Sequence, residues 1–90
     1  MAGMRQYPFT DEFFALFPDA GNVELPVASG VDERHNQSIR RVEFVREHLP
    51  HAEFCKIFTR EGPLEADLRV RFYFSRDADA AFFLLGAADL

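Results

Sequence analysis

Between Leu68 and Phe74, apolar and polar side chains alternate. Leu68, Val70, Phe72 and Phe74 fall on one parity, and Arg69, Arg71 and Tyr73 on the other. A period of two marks a strand with one buried face. The pattern then changes. Ser75 offers a side-chain cap, Asp77 and Asp79 place carboxylates in a first helical turn, and Ala80 to Leu85 is apolar without a break. Carboxylates are favoured at that end because unpaired N–H groups carry partial positive charge. Gly86 reads as a left-handed stop. The pattern predicts a long strand running directly into the last helix.

Upstream, Thr10 precedes Asp11-Glu12-Phe13-Phe14-Ala15-Leu16-Phe17, and Pro18 forbids continuation. This spacing predicts a short helix with a wide apolar face of Phe9, Phe13, Phe14 and Phe17. Asp19 to Asn22 reads as a turn. Val23 to Val27 alternates weakly, and Pro26, which lacks an N–H, makes it an edge strand or ends it. Ile39, Val42, Val45 and Leu49 recur at helical spacing up to Pro50. Asp32 to Ser38 carries no apolar residue, so the pattern leaves it as either a solvated loop or the opening of that helix.

Ala52 to Arg60 is rich in aromatic and β-branched residues and reads as a strand. Its two parities, Phe54/Lys56/Phe58 and Glu53/Cys55/Ile57/Thr59, do not reveal which face is buried. Gly62-Pro63 is a turn signal, so Ala66 to Phe74 is expected to pair back antiparallel. The whole chain, 1–90, reads as a single compact α+β domain. We expect a small antiparallel sheet with helices packed on one face, in the order β-α-β-β-α. That is a partial ferredoxin-like unit preceded by a short N-terminal helix.

Composition narrows the function classes. With 48% hydrophobic residues and 11 Phe, the 90-residue chain can fill a small core. Its formal charge of −5 disfavours a general polyanion-binding role. The charge is uneven: Met1 to Asn36 has two basic residues against six acids, Gln37 to Arg76 has eight against six, and Asp77 to Leu90 has none against three. Only one cysteine is present, Cys55, so no internal disulfide framework forms. No apolar h-region follows Met1, and no apolar run is long enough to span a membrane. A cytoplasmic protein is the expectation.

Chemistry-bearing clusters are few. His48, His51 and Cys55 are metal-ligand types, with Glu47 as a fourth, but they straddle Pro50 and match no standard zinc spacing. Two surface histidines and a buried thiol account for them more simply. No glycine-rich phosphate loop and no oriented nucleophile–base pair stands out. The expectation is no enzyme activity, no cofactor and no bound metal.

Arg69 to Ala78 resembles the central strand of RNA recognition motif domains, where basic and aromatic residues alternate outward ahead of a helix. Tyr73 falls at one aromatic position of that motif. Arg71 stands where a second aromatic is usual, and the motif's glycines are missing. The resemblance implies single-stranded nucleic-acid binding through Lys56, Arg69, Arg71 and Tyr73. This is the alternative function.

The preferred expectation is a small protein-interaction module, such as a homodimer or an inhibitor or adaptor, with nucleic acid disfavoured and no membrane partner. It rests on the terminal helices. Six consecutive apolar side chains in Ala80 to Leu85 encircle a helix axis, so one side needs cover from outside the sheet. Phe83 and Leu84 are expected at an interface or beneath Phe13 and Phe14 of the N-terminal helix.

Overall fold

The computed structural model describes residues 3–90. Strand β1 (Arg5–Gln6) and helix α1 (Asp11–Leu16) come first. Strand β2 (Gly21–Pro26), helix α2 (Val31–His48), strand β3 (Glu53–Arg60), strand β4 (Leu68–Phe74) and helix α3 (Asp77–Ala87) follow. A 3-10 turn, Glu65–Asp67, extends the loop between β3 and β4 beyond the Gly62-Pro63 signal. The sheet order is β1-β3-β4-β2.

The expected hairpin forms in the register Phe54↔Phe74 through Arg60↔Leu68. On the other side β2 pairs antiparallel with β4, from Gly21↔Phe74 to Pro26↔Arg69. Strands β2 and β3 are therefore parallel, with β4 between them and α2 connecting them. Pro26 closes β2 at the sheet edge, where a missing N–H costs nothing. Strand β1 was not foreseen. It pairs parallel with β3, so the sheet is mixed rather than purely antiparallel. Its two exposed residues leave no pattern, and backbone bonds hold it: Arg5 N–H to Ala52 O at 2.9 Å and Tyr7 N–H to Phe54 O at 2.8 Å.

Cross-strand register assigns the faces. Val23, Leu25, Phe54, Val70, Phe72 and Phe74 share one face and are all buried. Helices α2 and α3 cover it with Val45, Ala80, Phe83 and Ala87. Phe83 lies against Phe72 and Phe74, with ring centroids 4.6 and 5.1 Å away. Each such buried Phe contributes roughly 1.5–3 kcal/mol through removal of apolar area from water. The alternation in β4 thus marks the buried parity, as expected. The open question for β3 has a two-sided answer: Phe54 and Cys55 are both fully buried.

Cys55 is buried because α1 lies on the opposite face from α2 and α3. Its rings meet Tyr73, which points away from Phe72 and Phe74. Phe14 is 4.9 Å and Phe9 5.7 Å from the Tyr73 ring. Phe13, 1% exposed, packs among Tyr7, Phe14 and Phe17. The expectation of helices on one face therefore holds for α2 and α3, while α1 takes the other side. Phe13 and Phe14 cannot cover α3, because the sheet stands between them.

Asp32 to Ser38 is the helical opening of α2. Polar side chains anchor that stretch to the preceding loop: the Ala28 N–H donates to Gln37 Oε1 at 2.9 Å, and Arg34 Nε donates to Ala28 O at 3.3 Å. Helix α3 starts after Arg76, with no side-chain cap, so Ser75 does not cap it. Gly86 is not a left-handed stop either, since no described glycine has positive φ and α3 continues to Ala87. It is a contact glycine. The Phe44 ring of α2 lies where a Cβ on Gly86 would stand. Gly21 does the same on the other side of α3, where a Cβ would meet Ala80 Cβ and Asp77 Cα, each at 3.2 Å.

Gly86→Ala should therefore destabilise the protein by about 1–3 kcal/mol, as overpacking does, although alanine is the better helix former. In a Phe44→Ala background the same change should be neutral or stabilising. Urea unfolding of the four proteins of this cycle measures it. Equal effects of Gly86→Ala in both backgrounds would contradict the contact.

Candidate functional site

The phase of α3 on the sheet decides what it exposes. Ala80, Phe83 and Ala87 point inward with Asp79, which accepts from Arg76 Nε at 3.4 Å. Small residues at 80 and 87 let the helix sit low while Phe83 fills the core. The outward positions are then Ala78, Ala81, Phe82 and Leu85, at i, i+3, i+4 and i+7. All four are exposed, with Phe82 at 48% and Leu85 at 87%. Leu84, also 48% exposed, flanks them.

An ordinary surface helix carries one apolar stripe, toward the core. This one carries a second, toward solvent. Helix α2 extends it: Phe44, His48 and Phe82 cluster, with centroids 4.5 Å apart for Phe44–His48, 6.0 Å for Phe44–Phe82 and 6.2 Å for His48–Phe82.

The four expected interaction residues do not form one surface. Phe83 is fully buried against the sheet and Phe13 is buried inside the aromatic cluster around α1. Phe14 is partly covered by Phe9, Phe13 and Tyr73. Only Leu84 lies beside the outer stripe. Phe82 and Leu85, which sequence reasoning placed only among four divergent side chains, form its centre. Their phase was hidden because six apolar residues in a row carry no periodicity.

The nucleic-acid set is divided as well. Lys56 shares the helix-covered face with Phe54 and Phe72, whereas Arg69, Arg71 and Tyr73 face the α1 side. Tyr73 meets Phe9 and Phe14 and is not an open stacking platform. Arg71 is engaged: its guanidinium donates to Glu24 Oε2 at 2.6 Å and to Tyr73 Oη at 3.2 Å. These bonds, the one to Tyr73 first, push its pKa up. On the same face, Tyr7 donates to Glu53 Oε2 at 2.8 Å, which raises its pKa.

Among the described residues, no group of three or more His, Cys, Asp and Glu side chains is placed to hold a metal. His48 stands against Phe44, and Cys55 is enclosed within the sheet. Burial raises the Cys55 thiol from its usual 9.0 to about 11, which disfavours the nucleophilic thiolate. No helix of the described residues is long and apolar enough to cross a membrane. The chain has no match among protein-family models, curated proteins or solved structures.

Cys55 should resist Ellman's reagent at pH 8 in the folded protein and react fully in denaturant. The raised pKa also sets a sign: a folded thiol titrating above its unfolded value contributes stability that falls as pH rises from 9.0 toward about 11. Rapid stoichiometric labelling of the native protein would contradict the burial.

Proposed function

We propose that the protein is a small non-enzymatic interaction module that binds protein through the outer stripe of α3. One observation carries this reading: Ala78, Ala81, Phe82 and Leu85 are exposed together at the spacing with which a helix meets another helix. Monomers rarely leave a contiguous apolar surface in water unless it is used. The 11 residues of α3 span roughly 16 Å at 1.5 Å per residue, enough for two stacked turns of contact on each side.

A second copy is the simplest occupant. Two such stripes related by a two-fold axis are complementary, since each presents large Phe82 and Leu85 beside small Ala78 and Ala81. The stripe itself carries no charge, so the overall charge of −5 is not concentrated at the contact. Phe44 and His48 enlarge the contact beyond α3. An unpaired, buried Cys55 suits a reducing compartment, and we place the protein in the cytoplasm on that ground.

Phe82→Asp and Leu85→Asp separate this reading from a structural role, because both side chains point away from the core. Light scattering across a concentration series should show the parent chain associating and each variant monomeric with an unchanged circular dichroism spectrum. A parent chain that stays monomeric throughout and binds no apolar dye would defeat the proposal.

A further inference from the structure

On the inner side of α2, the positions that continue the apolar row of Val45 toward the N-terminus are Arg41, Ser38 and Arg34. These are core positions by periodicity, yet they hold two guanidinium groups and a hydroxyl. Lys56 approaches them from β3 and donates to Ser38 Oγ. Arg34 has an anionic partner, Glu65, at 2.5 Å. Lys56 has no acidic partner among the described residues. Arg41 is 2% exposed, donates to the backbone oxygens of Pro26 at 2.8 Å and Leu90 at 3.3 Å, and keeps its Nε without a partner.

Holding a cation partly out of water without a counter-charge is unfavourable, and Lys56, half-buried next to the buried Arg41, is in that position. Desolvation, and then the charge of Arg41, push the Lys56 pKa down. Such an arrangement is stable at a cost that a bound anion would remove.

The space for one is present. A recess of about 320 Å³ opens beside Lys56, lined by Val31, Arg34, His35, Ser38, Lys56 and Phe58. Its size lies at the small end of ligand pockets. Its floor is cationic and its rim apolar: Phe58 is 44% and Val31 73% exposed. The Lys56 ammonium lies 5.9 Å from the Phe58 ring centroid, so head-group and ring contacts adjoin.

We infer that this recess binds a small organic oxyanion, with its carboxylate or phosphate on Lys56 and Ser38 and its apolar body on Phe58 and Val31. The charge of Arg41, beneath the recess, adds to the attraction without direct contact. This site lies apart from the outer stripe of α3 and does not depend on it.

The probes are benzoate, phenyl phosphate and inorganic phosphate, each titrated at constant ionic strength against chloride while amide ¹H–¹⁵N shifts are followed. Saturable shifts at Ser38, Lys56 and Phe58 are expected, with benzoate or phenyl phosphate binding more tightly than inorganic phosphate. Comparing benzoate with phenyl phosphate identifies the head group. Lys56→Met should weaken binding about tenfold or more, the effect of losing one charge-assisted hydrogen bond. The same substitution should raise the melting temperature of the ligand-free protein, since it removes a half-buried charge that has no acidic partner. Absence of saturable shifts with all three probes would overturn the site. So would undiminished binding to Lys56→Met, or a ligand-free Lys56→Met protein less stable than the parent.

Discussion

The pairing of β3 with β4 is the contact on which everything else is mounted. It is apolar on both faces where Phe54, Cys55, Phe72, Tyr73 and Phe74 meet. Phe54, Phe72 and Phe74 form a ring cluster with interplanar angles of 13–28° and accept Phe83 from above. Tyr73, between Phe72 and Phe74, accepts Phe9 and Phe14 from below. A two-sided strand pair of this kind lets a short chain build two layers of cover and bury a larger share of its apolar area than one layer would allow. Strands β1 and β2 then add to its edges by backbone pairing.

The same economy explains the surface. With α1 committed to the lower face, nothing within the described residues remains to cover the outside of α3. Two glycines and two alanines bring α3 close to β2, β4 and α2, so only Phe83 among its large side chains goes inward. Phe82, Leu84 and Leu85 are left facing out by the geometry that makes the core tight. The inner face of α2 departs from packing logic in the other direction, with charged groups at positions that periodicity assigns to the core. Local rules broken at two separate places, one by apolar residues outside and one by cations inside, are where binding is to be sought.

Strand alternation was readable because burial of one face imposes a period of two, and β4 kept it through seven residues. The hairpin followed from its turn signal. Other features depend on what is brought together. Strand β1 is two exposed residues held by backbone bonds, and no side-chain pattern records that. The aromatic run in α1 announced burial but not the face it would cover, which Tyr73 decides from the far end of the chain. The pattern does not separate loop from helix over Asp32 to Ser38, because the inward contacts of that stretch are polar. Gly86 looked like a helix stop because its partner, the Phe44 ring, lies 42 positions away in sequence. Lys56 looked like one member of a basic strand face until the register put it opposite Phe72, across the sheet from Arg71.

Native-state hydrogen exchange in low denaturant tests the two-sided hairpin most directly. If β3 and β4 are the frame, amides of Cys55, Ile57, Val70 and Phe72 exchange only through global unfolding, and their opening free energy tracks denaturant with the full unfolding slope. Helix α1, six residues resting on the frame, should exchange by local opening at lower free energy. Amides of α1 as protected as those of β4, or a hairpin that opens while α2 stays closed, would contradict the account.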